Sequence, residues 1–252
     1  MTVSVQTRTD LSVHGPTVGF AGQLGVLGAL AATVGLGPAG WLAGLAYGVV
    51  AWLTLSYALH RTGTRSLGAA NIVTLARGTL GGGVTALVAD SLVGPTPDVV
   101  VVTLVAVTAV ALALDFVDGL VARRTGSTSA LGARFDMETD AFLILVLSVF
   151  VAQSLGAWVL AIGAVRYAFV AVGWLLPWLT APLPPKMSRK TVAATQGIVL
   201  LVASAGVLPV ALDALLVGLS LTVLAWSFTR DVWWLWRHRP AWVAPAARWS
   251  AP

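Results

Sequence analysis

The chain has no cysteine, which excludes disulfides, zinc–thiolate sites and a thiol nucleophile. Any metal is left to oxygen ligands or to the three histidines, His14, His60 and His238. Charge is scarce as well: Asp, Glu, Lys and Arg make up 10% of the 252 residues, against about 25% in soluble domains. Apolar residues fill the difference, at 58% with a mean hydropathy of +0.88, which is the composition of an integral membrane protein. The net charge of +5 does not point to nucleic acid, because the basic residues are scattered between apolar runs and form no stripe. Membrane lipid surfaces are the expected partner instead.

A hydrocarbon core of ~30 Å needs ~20 apolar residues per helix. Suitable stretches run approximately over 18–36, 40–59, 71–92, 98–120, 134–153, 157–179, 191–207 and 209–229. The expected fold is therefore all-α, a polytopic membrane helix bundle of eight spans. Gly37-Pro38, Gly94-Pro95, Pro182 with Pro184-Pro185, and Pro209 supply the breaks. The first run follows a polar segment and contains Ala29-Leu30-Ala31, as a signal peptide would, but a second span follows at once and no cleavage is expected. Loops that remain cytoplasmic keep Lys and Arg. In an eight-span arrangement every basic residue falls on one side except Arg77 and Arg166, which lie inside spans. Both termini are expected to be cytoplasmic in a protein of the cytoplasmic membrane. Gly40, Gly44 and Gly48, and Gly78 with Gly82, repeat at a spacing of four that lets helix backbones approach.

The ten acidic residues are unevenly placed: Asp115, Asp118, Asp136 and Asp140 crowd around one cytoplasmic turn. Spacings of three and four put each pair on one helix face, and an antiparallel hairpin would bring all four together. Such a cluster repels itself unless cations enter it. Hard oxygen ligands at this density favour Mg²⁺ or Mn²⁺, as a pair of ions, with phosphate completing the shell. Gly119 and Ala122 leave a helix face open, Arg123 offers a forked donor to phosphate, and Gly132 permits a turn or close packing. The bland alternative pairs the aspartates with Arg123, Arg124 and Arg134 as a charge belt. Carboxylates in this quantity at a membrane argue for a functional site.

The pattern Asp115-x-x-Asp118-Gly119-x-x-Ala122-Arg123, followed by Gly132, Asp136 and Asp140, resembles the signature of the CDP-alcohol phosphotransferase family at every position. Asn71-x-x-Thr74-x-x-Arg77 resembles the opening of that family's first core helix, with Ala70 where proline is usual. The resemblance implies a six-helix core over 70–230. It leaves 1–17 as a cytoplasmic segment, 18–69 as two additional spans with a loop, and 231–252 as an interfacial tail rich in Trp and Arg. By the same resemblance Asp115, Asp118 and Asp136 bind metal, and Asp140 is a metal ligand or the catalytic base. Asn71, Thr74, Asp118, Gly119, Ala122, Arg123 and Gly132 hold the CDP donor, and the protein is a homodimer. The implied reaction transfers a substituted phosphate, foremost phosphatidyl from CDP-diacylglycerol, to a hydroxyl acceptor with release of CMP, in phospholipid biosynthesis. A soluble CDP-alcohol with a lipid acceptor would use the same signature, and the acceptor alcohol is left open.

Outside the array, Arg166 lies midway along a span and needs a polar partner. Together with Lys186, Arg189 and Lys190 it is the candidate site for a phosphate on the acceptor. Glu138 points away from Asp136 and Asp140. Asp90, Asp98 and Asp213 are expected to be solvated span ends, and Gln196 to bond a neighbouring helix. A cation transporter is the rival class, and it is disfavoured because the carboxylates crowd at one membrane face instead of lining a path.

Overall fold

The computed structural model describes residues 11–62, 69–125, 130–184 and 187–239, and within them the side chains of all but 11–14, 62, 69–72, 116–125 and 130–131. Among the described residues there are eight α-helices and no strand: α1 (Leu11–Val34), α2 (Pro38–Thr62), α3 (Ala69–Ser91), α4 (Asp98–Thr125), α5 (Ala130–Leu155), α6 (Leu160–Leu175), α7 (Met187–Ala205) and α8 (Val210–His238). Helices form wherever a run was expected, because a bilayer forces every backbone amide and carbonyl to be satisfied within its own segment. Gly15–Val34, Pro38–Arg61, Asp98–Asp115, Ala157–Leu175 and Val210–His238 are long and apolar enough to cross a membrane. The chain is thus an integral membrane protein. The other helices, α3, α5 and α7, carry many of its charges, including Arg77, Asp136, Asp140, Arg189 and Lys190.

The chain divides into two compact units, Met1–Leu143 and Ile144–Pro252. In the first, α3 packs against α1, α2 and α4. Its close approach to α1 and α2 depends on Gly82, where an added methyl group would meet Gln23 Oε1 at 2.3 Å and Tyr47 Cδ1 at 2.5 Å. Leu27, Val84, Ala86 and Leu104 are fully buried in this core. Helix α1 ends at Gly35, whose φ of 75° closes the turn that a side chain would strain.

Helix α2 starts with Pro38 at its first position, yet the residue before it, Gly37, has no side chain to cap the free amides. Asp90 of α3 does so from a distance in sequence: Gly37 N and Gly40 N each donate to its carboxylate at 2.6 Å. Asp90 is therefore a tertiary cap and not the solvated span end expected from its position. Asp213 also departs from that expectation, being 6% exposed in the first turn of α8. Asp98 is exposed as expected.

In the second unit α7 packs on α8, joined by Gln196 Nε2 donating to Ser220 O at 2.9 Å, the interhelical bond foreseen for Gln196. Phe169 of α6 meets Phe228 of α8 edge to face at 5.6 Å. The sixth apolar run is not one helix. Pro177 holds Leu176 extended (φ −123°, ψ 84°), which ends α6 at Leu175 and leaves Pro177–Thr180 as a short 3₁₀ turn.

Candidate active site at Arg77

Three of the four aspartates of the array converge on one guanidinium. Arg77 Nη1 lies 2.9 Å from Asp115 Oδ1 and donates to Asp136 Oδ1 at 2.5 Å, while Nη2 donates to Asp140 Oδ1. The helices dictate this arrangement. Asp136 and Asp140 share a face of α5 one turn apart, Asp115 stands in the second half of α4, and Arg77 reaches all three from α3. The arginine is 2% exposed, whereas the side chains of Asp115, Asp136 and Asp140 are 39%, 36% and 33% exposed. A charge removed from water so completely requires ionic partners, and short bonds between charged groups are the strong kind. The carboxylates keep one side open to solvent.

The charge count is unbalanced. One guanidinium faces three carboxylates, so the group of four is anionic by two when all are ionised. One ligand oxygen from each aspartate can be chosen so that all lie within 4.8 Å of one another. Opposite ligands of an octahedral Mg²⁺ stand roughly 4 Å apart, so small side-chain adjustments would let the three share an ion. All three donors are hard carboxylate oxygens, the set that suits Mg²⁺ or Mn²⁺ over zinc or copper. The residues fit the expected metal.

Of the remaining expected donor-site residues, Thr74 is 3% exposed one turn before Arg77 on α3, and Gly132 is half-buried in the first turn of α5. Asp118, Gly119, Ala122 and Arg123 lie on α4 and Asn71 on α3, but their side chains fall outside the described residues. The charge-belt alternative named Arg123, Arg124 and Arg134; the arginine that three of the aspartates meet among the described side chains is Arg77, from inside a helix, while Arg134 is exposed and the side chains of Arg123 and Arg124 lie outside the described residues. Sequence reasoning placed Arg77 in a motif and inside a span without giving it a role. The signal was available, because a cation within an apolar helix must have an anionic partner.

The candidates for an acceptor phosphate belong to the second unit. Arg166 is half-buried in α6 and Lys190 is exposed on α7; Lys186 lies outside the described residues. Arg189 donates to Pro184 O and stands 3.7 Å from Asp231 Oδ2. Asp231 also lies 3.6 Å from Arg230 Nη2, and Arg230 in turn donates to Ser188 Oγ at 3.2 Å. Neither Arg230 nor Asp231 was singled out from sequence, although Asp231 is the one acidic residue in the basic segment that ends α8.

A family model described as CDP-alcohol phosphatidyltransferase matches residues 67–235, more than half of the chain. No curated protein and no solved structure matches it. The chain belongs to the CDP-alcohol phosphatidyltransferase family, and its coarse chemistry follows: transfer of a phosphate-linked group from a CDP-alcohol to an acceptor.

Proposed function

We propose that this member of the CDP-alcohol phosphatidyltransferase family transfers a phosphatidyl group from CDP-diacylglycerol to a hydroxyl acceptor, releasing CMP, at the cytoplasmic face of the cytoplasmic membrane. The observation that carries this reading is the convergence of Asp115, Asp136 and Asp140 on the buried Arg77. Mg²⁺ or Mn²⁺, as two ions held by Asp115, Asp118, Asp136 and Asp140, would supply charge neutralisation for the pyrophosphate and the departing CMP. Arg77 holds the three carboxylates together, so that only small side-chain adjustments would be required when metal and donor arrive. Asn71, Thr74, Gly119, Ala122, Arg123 and Gly132 hold the CDP moiety, the two small residues on α4 by leaving room and Arg123 by forked hydrogen bonds to phosphate.

Asp140 is the residue assigned to the acceptor's proton. As the acceptor oxygen bonds to the phosphorus that bears the lipid, the phosphorus–oxygen bond to CMP breaks and the hydroxyl proton passes to the carboxylate. Arg166, Lys186, Arg189 and Lys190 are the cations available to a phosphate on the acceptor. The product is a phospholipid, and the active form is a homodimer.

Purified protein incubated with CDP-diacylglycerol, Mg²⁺ or Mn²⁺ and a panel of alcohols should release CMP and form a new lipid, and excess EDTA should stop it. Full CMP release in EDTA would defeat the metal assignment. The one-sided placement of Lys and Arg supports cytoplasmic termini. Single cysteines at Thr96 and Ser127 should react with an impermeant reagent from opposite sides of the membrane, and reaction from the same side would overturn the orientation.

A further inference from the structure

Helices α1 and α2 lie outside the residues that the family model matches. With α3 and the first part of α5 they line a shallow groove that is open on one side. Phe20 of α1, Gly48 and Trp52 of α2, Gly78 of α3 and Phe135 of α5 form its walls, which are almost wholly apolar. On α1 the groove runs from Pro16 to Gln23, about 10 Å at 1.5 Å per residue. Gln23 stands at the far end, 1% exposed and bonded through Nε2 to Gly44 O at 3.3 Å.

Two walls of the groove are sequence neighbours of the carboxylate site. Gly78 follows Arg77, and Phe135 precedes Asp136. At Gly78 the wall is bare backbone: an added methyl group would be 3.5 Å from Tyr47 Oη and 4.0 Å from Phe135 Cζ, with nothing nearer. Gly78 was expected to serve close helix packing, as Gly82 does; it packs less tightly, since a methyl group there would meet Tyr47 and Phe135 at ordinary contact distance. An apolar groove inside a bilayer fills with hydrocarbon. Which hydrocarbon enters is decided by the charge beside it. Carboxylates that hold divalent metal would attract the two linked phosphates of a CDP-lipid more strongly than the single phosphate of an ordinary phospholipid.

We propose that the groove between α1, α2, α3 and α5 seats an acyl chain of the CDP-lipid donor, and that the two N-terminal helices are its chain-binding element. This rests on the lipid-donor reading above. CDP-diacylglycerol carrying a diazirine at mid-chain, photolysed with the full-length wild-type protein in nanodiscs, should label peptides of α1 and α2, at Phe20 and Trp52 foremost. Label confined to peptides of α4, α6, α7 and α8 would overturn the assignment. Ala51→Phe, which fills the groove, should raise the KM for a dioleoyl donor at least five-fold with kcat kept, and leave the KM for a dihexanoyl donor unchanged. An equal effect on both donors, or none, also overturns it. Should Ala51→Phe melt far below wild type, Thr79→Leu at the same groove takes its place. If the wild-type protein releases no CMP from any CDP-lipid, the donor reading fails and this assignment with it. CMP release with label elsewhere defeats the groove alone.

Discussion

Among the described residues two ionic clusters are of opposite design. Around Arg77, one cation at 2% exposure binds three carboxylates at hydrogen-bonding distance. Around Asp231, one carboxylate at 12% exposure lies 3.6 and 3.7 Å from two arginines, beyond hydrogen-bonding range. The first has two negative charges in excess and the second one positive. The first is tight because its central charge has left water and must be held on several sides. The second is loose because Arg189 and Arg230 are a quarter exposed and keep their hydration, which makes such pairs weak. Under the proposed function the difference would separate two tasks: an acidic group for divalent cations, and a basic group for an anion.

The largest effect should come from the chemistry of the acidic cluster. Asp140→Asn keeps the shape and a hydrogen bond to Arg77; if Asp140 is the base, kcat should fall about 10²–10⁴-fold with donor affinity largely retained. Asp118→Asn should weaken metal-dependent donor binding as well as turnover. Binding of a CDP-lipid measured calorimetrically in both variants separates these outcomes. Equal loss of affinity in the two would make Asp140 a metal ligand only.

Arg77→Leu should come next, and it tests why the cluster is tight. Removing one partner of a fully buried ion pair costs ~3–5 kcal/mol; because the aspartates are a third exposed, water recovers part of that, and a loss of ~2–3 kcal/mol is expected. Thermal melting with and without Mn²⁺ is the measurement. The metal should raise the melting temperature more in the variant than in wild type, since it then replaces the counter-charge that Arg77 supplied. A variant that melts like wild type and ignores Mn²⁺ would show that the arginine does not hold the carboxylates.

These two clusters were unequally legible in the sequence, for physical reasons. The aspartates stood out because i, i+4 spacing and a hairpin are local geometry, and the helices were legible because apolar runs are long. Helix ends were not: α4 continues to Thr125 and α8 to His238, past the apolar runs that ended at 120 and 229. Hydropathy reports where the bilayer would be, not where hydrogen bonding stops. The partners of Arg77 lie 38 to 63 residues away along the chain, and the cap that Asp90 gives α2 bridges 50 and 53. Such pairings are decided by which helices pack together, which no local pattern specifies. Asp231 was overlooked because its neighbours in sequence are basic, and a lone acid there reads as surface.

Asp231→Asn should have the smallest effect on stability and the most informative sign on function. Its two ion pairs are long and partly exposed, so the loss should be about 0.5–1 kcal/mol by chemical or thermal melting. The same change frees Arg189 and Arg230 from their shared carboxylate and adds one positive charge to the cluster. If Arg189 helps to hold a phosphate on the acceptor, that charge is worth about 1 kcal/mol at a half-exposed site. The KM for a phosphorylated acceptor should then fall roughly five-fold, while the unphosphorylated version of the same alcohol is unaffected. Equal values for both acceptors would return Arg189 to a structural role in joining α7 to α8. A rise confined to the phosphorylated acceptor would show instead that Asp231 orients Arg189 toward the anion, and that the loose pair is a guide and not a brake.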